Sequence, residues 1–429
     1  MNRKILRLAI PSIAANITTP LLALVDTAIV GHMGSELYIA AIAVGGVMFN
    51  MLYWLFSFLR GGTSGLSAQA YGAGDNRAST LVLRRSLSVA LGAGIVMILL
   101  QQPVFSLLSW FLDAGKETTA MASTYFHILI YGAPAVLGNY AMSGWFLGMQ
   151  NSRMLLWVSL TINVTNILSS LFMVYGLGMG IAGVATGTLI AQWVGFGAGF
   201  LFLHRYPRDS TTLRDILRWN ELRRFFSVNI DVMLRTVCLI AVTLWFTRAG
   251  SLQGPLVLAV NTLLMQLFLL FSYMMDGFAF AGEALVGRFV GACDYTNLRL
   301  CVRRLFLWGA AWALLFTLLY FLGGEGFLNL LSDDRAVIAA SGEYFIWAVT
   351  VPFAGFAAFA WDGVFIGATM TRGLLLSMAG ATATFFLVYY LLYPTLGNHA
   401  LWLAFILYLA MRGLLQTVIY LRWSRHVTA

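Results

Sequence analysis

The sequence predicts an all-α integral membrane protein whose twelve transmembrane helices form two six-helix lobes that repeat in parallel. Of its 429 residues, 60% are apolar and only 10% are charged, and the mean hydropathy is +0.82. Soluble domains carry roughly 25% charged residues, so this composition indicates a protein that lies in a bilayer. Two further observations support this fold: the sequence contains twelve apolar stretches and an internal repeat.

Each apolar stretch is long enough to cross a hydrocarbon core, which needs about 20 helical residues. The second and eighth stretches are longer than a simple span requires, and we expect them to protrude on one side of the membrane. The predicted spans cover residues 7–32, 36–71, 78–110, 118–149, 154–176, 180–204, 223–250, 255–291, 297–323, 337–368, 373–396 and 398–422.

The repeat has a constant offset of 219 residues. Gly72-Ala73-Gly74-Asp75 recurs as Gly291-Ala292-Cys293-Asp294, and the pair Arg84-Arg85 recurs as Arg303-Arg304. Six spans per half is an even number, so both halves enter the membrane from the same side and the repeat is parallel. We therefore expect an N-terminal lobe (1–204, spans 1 to 6), a basic linker (205–222) and a C-terminal lobe (223–429, spans 7 to 12).

The basic residues predict the orientation of the chain. With a cytoplasmic N-terminus, only Lys116, Arg248 and Arg335 fall in outer loops, and the inner segments hold most of the other Lys and Arg residues. This is a strong positive-inside pattern. It predicts a multi-pass protein of the plasma (inner) membrane with both termini in the cytoplasm, and it explains the net charge of +9 without a nucleic-acid partner.

The linker between the halves is rich in Arg and has apolar residues near helical spacing. We expect it to lie as an amphipathic segment on the cytoplasmic membrane surface. The alternative is a solvated basic loop.

Asp26 is the most informative of the ionisable residues within the spans. Each such residue costs on the order of 2.5 to 3.5 kcal/mol at mid-membrane, and the span of Asp26 holds no basic residue beyond Arg7. Pro20, six positions earlier, removes one backbone donor and can bend the helix. A carboxylate among neutral amides and hydroxyls, with no cation beside it, can exchange a proton or Na⁺.

Polar residues on two other spans are predicted to share the layer of Asp26. In the fifth span four of them follow a spacing of 4, 3 and 4, which places them on one face. At 1.5 Å per residue, Asp26 lies about 7 to 8 Å, Ser170 roughly 9 Å and Thr188 of the sixth span roughly 12 Å from the outer ends of their spans. The predicted cation-coupling site comprises Asp26, Asn163, Asn166, Ser170 and Thr188, with Ser159 on the same face. The alternative is a buried Asp that only bridges helices through amides and hydroxyls.

In the C-terminal half the acidic residues occur together with basic ones. Asp231 and Arg235 are spaced i, i+4 on one helix, which suits an ion pair. We expect Asp276, Glu283, Asp362 and Arg235 to line a substrate cavity that attracts cations, or else to pair structurally. Arg60 and Arg412 are interpreted as packing or snorkelling residues.

The remaining chemistry-bearing residues argue against an enzyme. Five dispersed His residues have no metal-ligand spacing, three Cys residues are expected to be free thiols, and no ATP-binding loop is present. We expect no cofactor and no metal, apart from Na⁺ at Asp26 as an alternative to the proton.

Several motifs resemble those of the multidrug and toxic compound extrusion (MATE) transporters. The resemblance covers essentially the whole chain and includes Leu8–Pro11, Val25–Gly31, Gln69–Gly74 and Asn166–Gly178. Two further stretches, Met275–Ala279 and Trp361–Thr369, look like the DinF-type branch of that family.

The resemblance implies two lobes around a central cleft that opens alternately to either side, with export driven by H⁺ or Na⁺ entry. Asp26 matches the family's first-helix acid and Asn166 its fifth-helix Asn, whereas Ser170 stands where many members carry a second Asp. We expect a monomeric secondary antiporter for small amphipathic or cationic compounds. The alternative is a flippase for lipids or lipid-linked glycans, which has the same two-lobe plan.

Overall fold

The computed structural model describes residues 1–31, 36–113, 115–206, 209, 211–216, 218–332 and 334–428. Within these ranges every regular element is a helix. The described helices include eleven that are long and apolar enough to cross a membrane, and the first helix, 30 residues long, carries the first predicted span. The all-α membrane fold is therefore confirmed.

In the N-terminal half, three predicted spans are interrupted or shorter than expected. The second span breaks at Phe56-Ser57, the third ends at Leu99, and the fourth passes through a 3₁₀ turn at Ile130–Gly132. The fifth ends in a π-turn at Phe172–Gly176. The helices are α1 (Asn2–Gly31), α2 (Glu36–Leu55), α3 (Phe58–Gly72), α4 (Asn76–Leu99), α5 (Gln101–Leu112), α6 (Lys116–Leu129), α7 (Ala133–Gly148), α8 (Ser152–Leu171), α9 (Gly180–Leu203) and the short α10 (Leu213–Ile216).

In the C-terminal half, each predicted span corresponds to one long helix. The ninth span was predicted to end at residue 323, and the helix there has a non-helical residue at Gly324, with φ 38° and ψ −124°. Pro352 lies inside the tenth span without ending it. The helices are α11 (Trp219–Ser251), α12 (Pro255–Gly291), α13 (Tyr295–Leu331), α14 (Arg335–Gly367), α15 (Thr371–Leu396) and α16 (Asn398–Thr428).

The chain divides into two compact units, Ala14–Phe225 and Met1–Ile13 with Phe226–Ala429. The start of α1 thus packs with the C-terminal half, and a Cβ added to Gly277 of α12 would lie 2.2 Å from Ile13 Cγ1. The lobe limits predicted from the sequence were 1–204 and 223–429. They assign Met1–Ile13 to the N-terminal lobe.

The backbone confirms the 219-residue repeat in detail. Asp75 caps α4 by accepting a hydrogen bond from the Ala78 amide, and its counterpart Asp294 caps α13 through the Asn297 amide. Positive φ angles also recur, as at Gln150 (64°) and Thr369 (53°), Gly74 (71°) and Cys293 (55°), and Gly178 (67°) and Gly397 (53°).

The closest helix crossing recurs as well. A Cβ added to Gly144 of α7 would lie 2.2 Å from the carbonyl oxygen of Arg60 in α3, and a Cβ added to Gly363 of α14 would lie 2.2 Å from that of Ala279 in α12. Gly363 is 219 residues after Gly144, and Ala279 is 219 residues after Arg60. Small residues let membrane helices approach to backbone contact, so these two glycines set the helix spacing in each unit.

Hydrogen bonds join the described part of the linker to α4. Arg84 donates to the Thr211 carbonyl at 2.8 Å, and Arg85 donates to the carbonyls of Asp215 (2.8 Å) and Ile216 (3.1 Å). Hydrogen bonds from the backbone and hydroxyl of Thr212 lower the pKa of the Asp215 carboxyl to about 2. Residues 207–208, 210 and 217 of the predicted linker lie outside the described residues.

We predict that Gly144→Ala and Gly363→Ala lower stability to a similar extent, by about 1 to 3 kcal/mol, because each methyl group would overlap a main-chain carbonyl. The measurement is the thermal unfolding midpoint of the purified protein in detergent. Gly92→Ala and Gly342→Ala are the controls, since an added Cβ meets nothing within 4 Å at either helical position. Equal unfolding midpoints for all four variants would contradict the claim that Gly144 and Gly363 each permit a close helix contact.

Candidate functional site

Asp26 lies buried in α1, with 4% of its surface exposed, and its hydrogen-bond donor is a neutral side chain. The Thr188 hydroxyl of α9 donates to Asp26 Oδ2 at 3.2 Å. Asn166 of α8 donates through Nδ2 to Thr188 Oγ1 at 2.8 Å, and it lies within interaction range of the Asp26 carboxylate. The structure therefore brings together three of the five residues predicted for the coupling site.

The Thr188 hydroxyl has two acceptors within reach but only one proton. Besides Asp26 Oδ2, the carbonyl oxygen of Val184 lies 3.0 Å from Thr188 Oγ1. A hydroxyl donates one hydrogen bond and accepts two. Thr188 can therefore donate to the carboxylate or to its own helix, but not fully to both.

Close packing between α8 and α9 positions Thr188. A Cβ added to Gly187 would lie 2.3 Å from Ser170 Oγ and 2.6 Å from the Ser170 nitrogen. Only glycine fits there, so α9 lies directly against α8 at the residue before Thr188. Ser170 is fully buried against this crossing, and within the described part of the chain no hydrogen bond joins it to Asp26.

Three oxygen atoms of these side chains are buried without a hydrogen-bond partner among the described residues. They are Oδ1 of Asp26, Oδ1 of Asn166 and Oγ of Ser170. Buried polar atoms are nearly always paired with protein, water or an ion. Oxygen atoms of this type suit a proton or a hard cation such as Na⁺.

Asn163 and Ser159 lie on α8 at increasing distance from Asp26. Asn163 is half-buried, and no hydrogen bond to Asp26 is present in the described ranges. The Ser159 hydroxyl is hydrogen-bonded to that of Thr18, six residues before Asp26 on α1. Side chains of α8 and α9 therefore hold α1 at Thr18 and at Asp26, with Pro20 between these two positions.

Tyr125 of α6 is a neighbour of Asp26 that the sequence reasoning missed. Its side chain is buried and lies in electrostatic range of the carboxylate. It packs against Gly45 of α2, where an added Cβ would lie 2.5 Å from the Tyr125 ring. A lone tyrosine in an apolar span carries no sequence signal for such a role.

Asp362 of α14 lies in a different environment, between two arginines. It forms ion pairs with Arg235 of α11 and Arg412 of α16, and its other oxygen accepts from Gln416 Nε2 at 2.9 Å. The exposed fractions of the three charged side chains are 8%, 18% and 3%. This buried cluster joins three helices of the C-terminal unit.

One sequence-based interpretation is wrong here, and the alternatives for Arg412 are decided. Arg235 does not pair with Asp231 in the described residues; Asp231 instead accepts from the Thr371 hydroxyl at 2.7 Å. Of the two alternatives for Arg412, packing and snorkelling, the structure supports packing, because Arg412 is buried with its guanidinium 5.5 Å from the Phe359 ring. Spacing of i, i+4 made the first pairing feasible, but a carboxylate on a distant helix competes better for Arg235.

The other two acids of the predicted substrate cavity are also engaged. Glu283 is 1% exposed and Asp276 is half-buried. Both have interaction partners, and Asp276 lies in electrostatic range of Arg412. A second carboxylate, that of Asp276, thus lies near the Asp362 cluster, and contact of these residues with substrate stays a prediction.

The sequence profile of the MatE family matches residues 11–172 and 229–391, which together exceed half of the chain. The chain belongs to the MatE family. It is 38% identical over 428 residues to the DNA damage-inducible protein F of Escherichia coli K12, an alignment that covers 98% of this chain and 91% of the relative. It is 24% identical to a probable multidrug resistance protein NorM of Chromobacterium violaceum, covering 99% and 94%.

A crystal structure of a MATE protein in the bent conformation shares the fold of this MatE protein. The TM-score is 0.88 at 20% identity, and the superposition covers 100% of this chain and 96% of the other. The resemblance inferred from the motifs is confirmed, and the MatE protein is a multi-pass membrane transporter.

For the Asp362 cluster of this MatE protein, we predict that Asp362→Asn destabilises the fold by about 3 to 5 kcal/mol, because it leaves the buried Arg412 and the half-buried Arg235 without their ion-pair partner. Thermal unfolding in detergent measures the effect. Asp231→Asn is the matched control, since Asn retains an oxygen for the Thr371 hydroxyl. A stable Asp362→Asn protein would show that the cluster is not a structural ion network.

Proposed function

We propose that the protein is a secondary antiporter that exports amphipathic, mostly cationic compounds from the cytoplasm in exchange for protons bound at Asp26. The observation that carries this proposal is the environment of Asp26. It is a buried carboxylate, and within the described residues its donor is a hydroxyl and no arginine or lysine forms an ion pair with it. Asp362 differs, because its ion pairs with two arginines favour the ionised carboxylate.

The proton acts through a rearrangement of hydrogen bonds. With Asp26 ionised, Thr188 donates its proton to Asp26 Oδ2. With Asp26 protonated, the carboxyl O–H becomes the donor to Thr188 Oγ1, and Thr188 turns its proton to the Val184 carbonyl. Asn166 donates to Thr188 in both states, so every polar hydrogen keeps an acceptor while the charge changes.

The change is transmitted to α1, because α1 carries both Asp26 and Pro20. Proline removes a main-chain hydrogen bond and weakens the helix locally. Contacts at Thr18 and at Asp26 hold the two sides of that weak point. Loss of the Asp26 charge loosens the outer contact, bends α1 near Pro20 and favours release of the substrate to the outside.

Protons are preferred over Na⁺ as the coupling ion because Asp26 is the one acidic residue in the group. Ser170 occupies the position at which a second acid would add charge, so a bound cation would rely mainly on neutral oxygens. We further propose that the protein acts as a monomer in the inner membrane with both termini in the cytoplasm, as the distribution of basic residues predicts.

We predict that an imposed pH gradient, and not a Na⁺ gradient, drives efflux of a fluorescent lipophilic cation from proteoliposomes. Asp26→Asn should reduce gradient-driven efflux to the level of protein-free liposomes, because the amide cannot exchange a proton. Asp231→Asn, the same chemical change on another span, should keep wild-type efflux.

Three outcomes would contradict this proposal. Wild-type efflux by Asp26→Asn would remove Asp26 from the coupling step. Efflux that follows Na⁺ would make Asp26 a cation ligand. Efflux with neither gradient, together with scrambling of labelled lipid, would favour a flippase.

Thr188 supplies a second test. We predict that Thr188→Val uncouples transport, since the carboxylate loses its donor and the protonated acid loses its acceptor, whereas Thr188→Ser keeps both. The measurement is the ratio of efflux with and without the pH gradient. Equal ratios for the two variants would show that the hydroxyl has no part in coupling.

A further inference from the structure

A groove of about 420 Å³ lies in the C-terminal unit, apart from the Asp26 site. Helix α13 contributes Arg299, Arg303 and Phe306, which are spaced i, i+4 and i+7 and so share one face. Trp361 of α14 and Thr417 and Tyr420 of α16 also line the groove. The groove lies where α13 begins and α14 ends, at the membrane side that the basic residues assign to the cytoplasm.

The floor of the groove is aromatic. The Trp361 ring lies 4.6 Å from the Phe306 ring and 4.5 Å from the Tyr420 ring, measured between centroids. Trp361 Nε1 donates to Thr417 Oγ1 at 2.7 Å, so the one polar donor of this tryptophan is already satisfied. The floor therefore offers apolar contact and no open hydrogen-bond donor from Trp361.

Two arginines lie at the edge of the groove, and neither has a carboxylate partner among the described residues. Arg299 and Arg303 are exposed, and the part of the chain that the structure describes contains no ion pair to either one. Their surroundings differ from those of Arg84, the repeat counterpart of Arg303, which donates to the Thr211 carbonyl of the linker. No main-chain carbonyl takes that place at Arg303 within the described ranges.

We propose that this groove binds an acidic phospholipid of the cytoplasmic leaflet. The two guanidinium groups receive the phosphate, since paired Arg donors match phosphate oxygens, and the first part of an acyl chain lies on the Phe306, Trp361 and Tyr420 rings. A free phosphate would use the arginines but not the aromatic floor. The proposal goes beyond the transport function and is independent of Asp26.

Native mass spectrometry of the full chain in detergent, titrated with phosphatidylglycerol, phosphatidylcholine or inorganic phosphate, tests the proposal. The wild-type protein should retain one phosphatidylglycerol with higher affinity than phosphatidylcholine. Inorganic phosphate should not displace it. Arg299→Gln with Arg303→Gln should weaken phosphatidylglycerol binding roughly tenfold or more, because each basic residue contributes appreciably to binding of an acidic lipid.

The matched control is Arg153→Gln with Arg372→Gln. It removes two exposed arginines that fall on the same predicted side of the membrane and do not line the groove. It should bind phosphatidylglycerol within about twofold of wild type. If both double variants weaken phosphatidylglycerol binding equally, the lipid is held by diffuse surface charge. If the wild-type protein retains phosphatidylglycerol and phosphatidylcholine equally, the groove does not recognise the headgroup. If inorganic phosphate displaces the lipid, the arginines form a site for a free anion. Each of these results overturns the proposal, and none depends on transport activity.

Discussion

A charged side chain inside a bilayer has to be stabilised by its neighbours, and this protein meets that requirement in two ways. Asp362 is neutralised by the half-buried Arg235 and the buried Arg412. Among the described residues, the hydrogen-bonding partners of Asp26 are neutral, a hydroxyl and an amide. Fixed opposite charges hold a carboxylate in its ionised state, whereas neutral donors and acceptors allow it to gain or lose a proton. The two acids are therefore suited to different tasks, one structural and one that changes charge.

The internal repeat shows how the two units came to differ while sharing one backbone plan. Caps, positive φ angles and the glycine crossings recur at the same offset. The residues of the Asp26 site do not. The counterparts of Asp26, Asn166 and Ser170 are Trp245, Phe385 and Tyr389, and the Trp245 ring lies 6.1 Å from that of Tyr389. Three polar residues of the Asp26 site are thus replaced by aromatic residues in the other unit.

Much of the fold could be predicted from the sequence, because bilayer thickness fixes the length of an apolar span and a constant offset reveals duplication. The grouping of Asp26, Asn166 and Thr188 was also predictable, since helical spacing gives the face and rise per residue gives the depth. The partners of Arg235 and Arg412 were not. Spacing and depth identify the face and the layer of a residue, but they do not show which of several charged residues in a layer form pairs. Tyr125 was missed because a lone tyrosine in an apolar span carries no sequence signal for such a role.

The most direct test of the central claim is the release of protons when a lipophilic cation binds to the detergent-solubilised protein. If substrate and proton compete through the charge state of Asp26, linkage requires that binding of one expels the other. With tetraphenylphosphonium as the probe and a pH-sensitive dye in weak buffer, at a pH at which Asp26 of the substrate-free protein is protonated, the wild-type protein should release about one proton per chain at saturation. Asp26→Asn should release none. Equal release by the two proteins would show that another group carries the proton, and the account of the Asp26 site would be wrong.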